Sequence, residues 1–337
     1  MTRWQYRHGL QEIGEGCYAY LQPDGSWGWS NAGLITDGEA SLLVDTLYDL
    51  PRTQAMLDAM ADATEAARDI DAVVNTHANG DHCFGNKLLE RKTILATAAC
   101  ADEMPRVTPA MMQRNKKLAR VLSRLPWPLS RLPMGQSGAT LKEFGQFLLQ
   151  TLGTYEYEGN ELVLPNKTFR GAMTWQVGDQ EVELMEVGPA HTRGDALVFV
   201  PDCKVVYTGD ILFHGGHPIV WEGPVGNWIA ACDRILQMDV EVVVPGHGPI
   251  GDKAAIRSMK QYLEYIHREA RERHDAGMPA VEAARDIALT DYAEWGEAER
   301  IVVNVHTLYR EFDGVPDSPS PKEMFGLMAA LAAERRR

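Results

Sequence analysis

Four short apolar runs in this chain each end at a tight turn that carries an imidazole or a carboxylate, and this pattern limits the fold more than any other feature. Ile70 to Asn75 runs into His77-Ala78-Asn79-Gly80-Asp81-His82, and Glu181 to Val187 into Gly188-Pro189-Ala190-His191-Thr192. Lys204 to Thr208 closes on Tyr207-Thr208-Gly209-Asp210, and Val240 to Val244 on Pro245-Gly246-His247-Gly248. Loops at strand ends are where a rigid scaffold presents functional groups. Imidazole nitrogen and carboxylate oxygen are also the ligands that zinc takes. Taken singly, each piece has a plainer meaning. Pro-Gly-His-Gly can be only a turn, and Thr-Gly-Asp can cap a helix, because Asp is a favoured N-cap. Four such pieces along one chain point to a metal site.

The rest of the chain reads as strands followed by helices, twice. Leu10 to Leu21 is strand-like up to the turn Pro23-Asp24-Gly25. Asn31 to Thr36 and Ala40 to Val44 are separated by Asp37-Gly38, a hairpin turn, and Asp45 follows the second run. Pro51 opens a helix through about Arg68, since Pro suits a first helical turn. Strands resume at Phe169 to Thr174, Glu181 to Val187, Asp195 to Val200, Lys204 to Thr208 and Val240 to Val244. From about Lys253 to Arg337 the pattern is helical, with Ile256, Met259, Leu263 and Ile266 on one face. Two strand-then-helix halves fit an αββα sandwich, with two sheets face to face and helices outside.

Between these halves, from Ala101 to about Gly159, the chain turns helical and Pro-punctuated. No Asp or Glu lies between Met104 and Lys142, while seven basic residues do: Arg106, Arg114, Lys116, Lys117, Arg120, Arg124 and Arg131. This reverses the sign of a chain whose net charge is −14. A helix over Ala110 to Leu125 would gather Met111, Leu118, Leu122 and Leu125 on one face and Lys117, Arg120 and Arg124 on another. The basic face suits an anionic substrate, a coenzyme A ester or an acidic carrier protein. Its plainer reading is a solvated face that balances an acidic body.

In order and spacing, the four pieces closely resemble the metallo-β-lactamase superfamily, from about Cys17 to Gly251. The resemblance implies a four-layer αββα fold of the α/β (α+β) class. The chain would then comprise a catalytic domain over 1–252, with 101–160 as a basic lid-like insertion, and a helical extension over 253–337 packed on the same domain. It also implies ligand roles. His77, the position of Asn79, and His191 would hold a first metal, Asp81, His82 and His247 a second, and Asp210 would bridge both. Asp45 would orient the metal loop or a ligand.

One position departs from the family pattern. Where HxHxDH has its middle histidine, this chain has Asn79. An amide oxygen is a harder ligand than imidazole and a weaker one for zinc. The expected cofactor is therefore zinc, tight at the second position and weaker at the first, with iron or manganese as the metals more tolerant of oxygen ligands. Asn79 could instead leave the metal and donate to substrate. In the implied mechanism, bound metal lowers the pKa of water to about 7, Asp81 aligns the attacking hydroxide, and Asn79 stabilises developing charge.

Other candidates surround this constellation. Trp27 and Trp29 would wall the mouth, and His214 and His217 would touch substrate or donate a proton. Phe213, Trp221, Lys117, Arg120 and Arg124 complete the expected substrate contacts. Cys83 reads as a small buried residue. No Gly-x-Ser-x-Gly elbow and no Walker loop offers a competing chemistry.

The expected activity is metal-dependent hydrolysis of an ester, thioester, lactone or lactam. A polyketide cyclase/thioesterase, a β-lactamase and a persulfide-dioxygenase-type iron enzyme are the alternatives. A complete second ligand set argues against the last. The acidic balance argues against nucleic acid as a partner. The expected partner is a small molecule, with oligomerisation left open. Met1 to His8 lacks an apolar h-region, and no run approaches the roughly 20 apolar residues of a membrane span. The five cysteines are scattered and odd in number, as suits a reducing compartment. The expectation is thus a cytoplasmic protein with no membrane partner.

Overall fold

The computed structural model describes residues 4–315 and 320–336. Readings that fall on Met1 to Arg3, on 316–319 and on Arg337 lie outside the described residues. The first sheet has seven strands in the order in which the chain makes them. These are β1 (Gly9–Gly14), β2 (Cys17–Leu21), β3 (Ala32–Asp37), β4 (Ala40–Val44), β5 (Ala72–Val74), β6 (Thr93–Thr97) and β7 (Lys167–Phe169). Strands β1 to β4 pair antiparallel, and β4 to β7 run parallel. The second sheet holds β8 (Ala172–Val177), β9 (Gln180–Glu186), β10 (Ala196–Val200), β11 (Val205–Tyr207) and β12 (Val242–Val244). In it only β11 and β12 are parallel.

Two strand expectations change. Leu10 to Leu21 is not one strand but the hairpin β1–β2, turned at Glu15-Gly16, where Gly16 takes φ +69°. Phe169 to Thr174 splits at Gly171, φ +66°, so β7 completes one sheet and β8 opens the other. Each turn is only two residues long, Glu15-Gly16 and Arg170-Gly171, and its glycine is the signal that marks the break.

The ten helices among the described residues are α1 (Leu50–Ala63), α2 (Gly80–Cys83), α3 (Ala98–Glu103), α4 (Pro109–Ser123), α5 (Leu141–Leu152), α6 (Val225–Gln237), α7 (Lys253–Asp275), α8 (Ala280–Asp286), α9 (Ile301–Asp313) and α10 (Pro321–Arg335). Their starts follow local chemistry. Asp49 accepts from Arg52 N ahead of Pro51 in α1, Thr108 from Met111 N in α4, and Thr140 with Glu143 forms a capping box on α5.

Side chains from both sheets interlock between them: Leu42, Val44, Ala72, Val74 and Leu95 meet Val182, Leu184, Val198, Val205 and Val244. The outer face of the first sheet packs under α1 through Leu34, Leu43, Val73, Met56 and Met60. The outer face of the second packs under a larger helical layer that includes Leu197, Val206, Val243, Trp228, Ile256, Tyr262 and Leu308. Both faces of β5, β10, β11 and the edge strand β12 are covered, which is why all four are buried at every position. The result is the expected four-layer αββα sandwich.

The helical additions join this architecture. Helix α5 of the insertion and the C-terminal helices belong to one continuous core. The amphipathic reading of α4 needs correction. Of Met111, Leu118, Leu122 and Leu125 only Leu122 packs against the core, where Met112 joins it, and Leu118 is 49% exposed. The helix buries Lys116 and Ala119, and the Lys116 ammonium donates to the carbonyl of Tyr155.

Candidate metal centre

Strand ends bring the four motifs together. His77 follows β5, His191 follows β9, Asp210 follows β11 and His247 follows β12. The two carboxylate oxygens of Asp210 face two different histidine pairs. Oδ2 lies 3.6 Å from His77 Nε2 and 3.3 Å from His191 Nε2. Oδ1 lies 3.2 Å from His82 Nε2 and 3.6 Å from His247 Nε2. Asp81 Oδ2 joins the second pair, 3.3 Å from His247 Nε2 and 3.9 Å from His82 Nε2. Gly246 has no side chain for a steric reason, since a Cβ there would fall 2.0 Å from Asp210 Oδ1.

Each histidine is turned by a fixed partner on its other nitrogen. His191 Nδ1 donates to Ile219 O at 2.7 Å and His247 Nδ1 to Gly25 O at 3.0 Å. His82 Nδ1 donates to Asp45 Oδ2 at 3.0 Å. The Thr76 hydroxyl donates to the same oxygen at 2.7 Å and is 3.0 Å from His77 Nδ1, from which it accepts. Asp45 thus orients two rings, one directly and one through Thr76. It does so from φ +62°, a left-handed conformation that Asp tolerates better than most non-glycine residues. All four Nε2 atoms face the centre, that of His191 also taking the Asn79 amide at 2.9 Å.

The electrostatics suit a cation. Burial and the neighbouring His82 push the His77 pKa well below its usual value, and burial lowers that of His191; both shifts favour the neutral ring that a ligand needs. Burial opposes charge on Asp81 and Asp210, but the surrounding histidines outweigh it and keep both carboxylates ionised. Burial likewise opposes charge on His82, yet Asp210 and Asp45 pull its pKa well up. The pocket draws a positive charge to that point. His77 Nε2, His82 Nε2 and Asp210 Oδ1 are buried with no hydrogen-bond partner, a costly arrangement that a bound metal would satisfy. His77, His82 and Asp210 form one cluster of metal-binding geometry, and Asp81, His82 and His247 another.

Asn79 sits beside His191, which belongs to neither cluster, its Nδ2 2.9 Å from His191 Nε2. It and Asp81 are partly exposed while the four histidines and Asp210 are buried, so the centre opens on the Asn79 and Asp81 side. The metal loop is pinned to the Trp27–Ser30 segment by Ser30 Oγ donating to Asp81 O at 2.6 Å.

The other candidates divide. Phe213 is buried and lies parallel to the His247 ring at 5.2 Å, a support beneath the ligand. His214 is partly exposed, donates to Pro249 O at 2.7 Å, and lines a cavity of about 190 Å³ together with Phe213 and His247. His217 does not join it. It is fully buried between Tyr262 OH at 3.0 Å and Tyr292 O at 3.1 Å, and burial drives its pKa down to about 3. It is a packing residue, not a proton donor to substrate.

Trp27 and Trp221 both pack on Phe325 of α10, with ring centres 5.7 and 5.9 Å apart. Trp29 turns instead to Tyr155 and the Arg52 guanidinium. Lys117, Arg120 and Arg124 are exposed on the outer side of α4, and among the described residues no hydrogen bond or ion pair ties them to the centre. Cys83 is buried, as expected, and burial raises its thiol pKa.

A two-sheet sandwich whose strand ends supply two histidine sets around a shared carboxylate defines a metal-site fold of one kind. Residues 25–247 match the model of the metallo-beta-lactamase superfamily, and the chain belongs to that superfamily. It is 22% identical over 250 residues to a Methanocaldococcus jannaschii protein named as a probable metallo-hydrolase, covering 70% of this chain and 97% of that one. It is 24% identical over 110 residues to the human acyl-coenzyme A thioesterase MBLAC2, or 31% of this chain and 39% of that relative. Among solved structures, the sec-alkylsulfatase Pisa1 of Pseudomonas superposes with a TM-score of 0.62 at 17% identity, over 93% of this chain and about half (52%) of that one. A metallo-beta-lactamase from Pontibacter korlensis superposes at 0.52 and 17% identity, over 77% of this chain and 99% of its own. These structural likenesses concern the fold.

Proposed function

We propose that this protein is a two-metal hydrolase, with zinc as the resident metal, that cleaves an ester or thioester bond beside an apolar acyl group. The observation that carries the reading is the division of Asp210, each of whose oxygens faces its own histidine pair. When bound, a metal pair would lower the pKa of water toward about 7 and draw charge from the bond under attack. Asp81, the partly exposed carboxylate, accepts the hydrogen bond that aims the attacking water. Asn79, on the same open side, donates its amide to the charge that develops on the substrate. The aromatic group of Trp27, Trp221 and Phe325 supplies the apolar wall for the acyl part. The thioester reading also has support in the likeness to MBLAC2. Lys117, Arg120 and Arg124 have no place in this substrate contact.

The test is a substrate panel with and without metal: aryl esters of rising acyl length, an acyl-coenzyme A, a lactone, a secondary alkyl sulfate and a chromogenic β-lactam. The expected outcome is turnover of the long-acyl ester and thioester that a chelator abolishes and zinc restores, and that Asp210→Ala eliminates. Turnover that persists in metal-free protein would sink the proposal. So would oxygen uptake with an iron-loaded chain and no hydrolysis.

A further inference from the structure

Helix α4 turns two kinds of side chain into solvent. Arg114, Lys117, Leu118, Arg120, Val121 and Arg124 are exposed, Leu118 at 49% and Val121 at 62%. Spacings of three and four place Arg114, Lys117, Leu118, Val121 and Arg124 along one stripe. The following loop continues the surface with Trp127, 79% exposed, and with Leu129 and Leu132. Most of the large apolar side chains left in solvent on the described residues fall between Val107 and Leu132. Among the described residues no ion pair involves a side chain of this stretch, and the nearest in sequence is Arg106 with Glu103 at 4.0 Å. The flanking acids come from outside it: Glu158 accepts from Gln113, and Glu156 lies toward the inward Lys116.

We propose that the outer face of α4 with the loop to Leu132 docks on an anionic lipid surface. Unpaired cations interleaved with exposed Leu, Val and Trp are what a helix lying in a membrane interface presents, its cations at the headgroups and its apolar side chains below them. A partner held by charge alone would leave Trp127 and Val121 in water. A second copy placed face to face would set this basic stripe against itself, with like charges opposed. No helix among the described residues is long and apolar enough to cross a membrane, so the association is peripheral. The expectation of no membrane partner concerned spanning, and this surface revises it. The proposal stands apart from the hydrolase reading, since it rests on a different face and is tested by binding.

The experiment is cosedimentation of the full chain with phosphatidylcholine vesicles, with and without phosphatidylglycerol. Binding is expected only with phosphatidylglycerol present, weakening as salt rises. A cation near such a surface contributes about 1 kcal/mol, so a K117Q/R120Q/R124Q chain is expected to partition roughly a hundredfold less. These residues are exposed, so folding is retained, which circular dichroism verifies. Trp127→Ser is expected to weaken binding and to remove the blue shift of tryptophan emission on vesicles. Absence of binding by the unaltered chain overturns the proposal, as does binding that survives in the triple variant. Capture of an acidic carrier protein with none of vesicles, or salt-sensitive self-association alone, overturns it equally.

Discussion

Asn79 is the residue on which the chemistry of the centre turns. Its amide lies 2.9 Å from His191 Nε2, where the family pattern has an imidazole. Turned over, the same amide would offer Oδ1 there, an acceptor that binds zinc less well than nitrogen. Zinc titrated into metal-free protein is therefore expected to fill one tight equivalent at Asp81, His82 and His247 before a weaker second, and Asn79→His to tighten the second by at least roughly tenfold. Calorimetry with metal analysis resolves the two, and two equally tight equivalents in the unaltered chain would contradict the assignment. The histidines and carboxylates of this centre were legible in the motifs because each stands in a turn straight after an apolar run. The misplaced His217 was not. His214 and His217 share one loop, and nothing in their spacing tells which ring turns toward the cavity and which toward Tyr262. Thr76 was hidden differently, since its part in orienting His77 exists only once Asp45 arrives from another strand.

At the scale of elements, helix ends tie distant segments together. Pro224 precedes α6 and gives it no side-chain cap; the acceptor comes from α9, where Glu311 Oε1 receives Val225 N at 3.0 Å. Burial lifts the Glu311 carboxyl from its ordinary 4.5 to about 7. A carboxyl raised on folding binds more protons in the folded state than in the unfolded one. Its contribution is therefore fully present below about 4.5 and is lost as pH rises through about 7. Glu311→Gln keeps an acceptor for Val225 and removes the proton. The thermal midpoint of the variant is expected to gain on that of the unaltered protein as pH rises across this window, and parallel midpoints would refute the coupling. Such a cap joins residues 86 apart in the chain, so no local pattern announces it. The same limit explains Leu118: periodicity locates a stripe, but only packing decides which stripe is inward, and here Lys116 snorkels to Tyr155 O instead.

At the scale of the whole molecule, the helical extension after residue 252 is part of the packing that holds the two-sheet frame. The two-sheet frame could be read from alternating strand and helix signals, yet the C-terminal helices share one core with α5 and α6. Ile256, Met259, Tyr262, Leu263 and Ile266 of α7 are wholly buried. At about 1.5–3 kcal/mol for each large side chain, their burial rivals the 5–15 kcal/mol net stability of a typical domain. A chain ending at Asp252 is expected to aggregate or to lack cooperative unfolding, followed by calorimetry. A well-folded product would contradict this.

The contact of Phe325 with Trp27 and Trp221 has a temporal side. A polypeptide emerging from the ribosome as far as His247 already contains every candidate ligand, whereas the aromatic wall waits for nearly the last helix to be made. Under the proposed function, reactivity would be encoded before selectivity in synthesis, and a product terminated ahead of α10 would hold the ligands without Phe325.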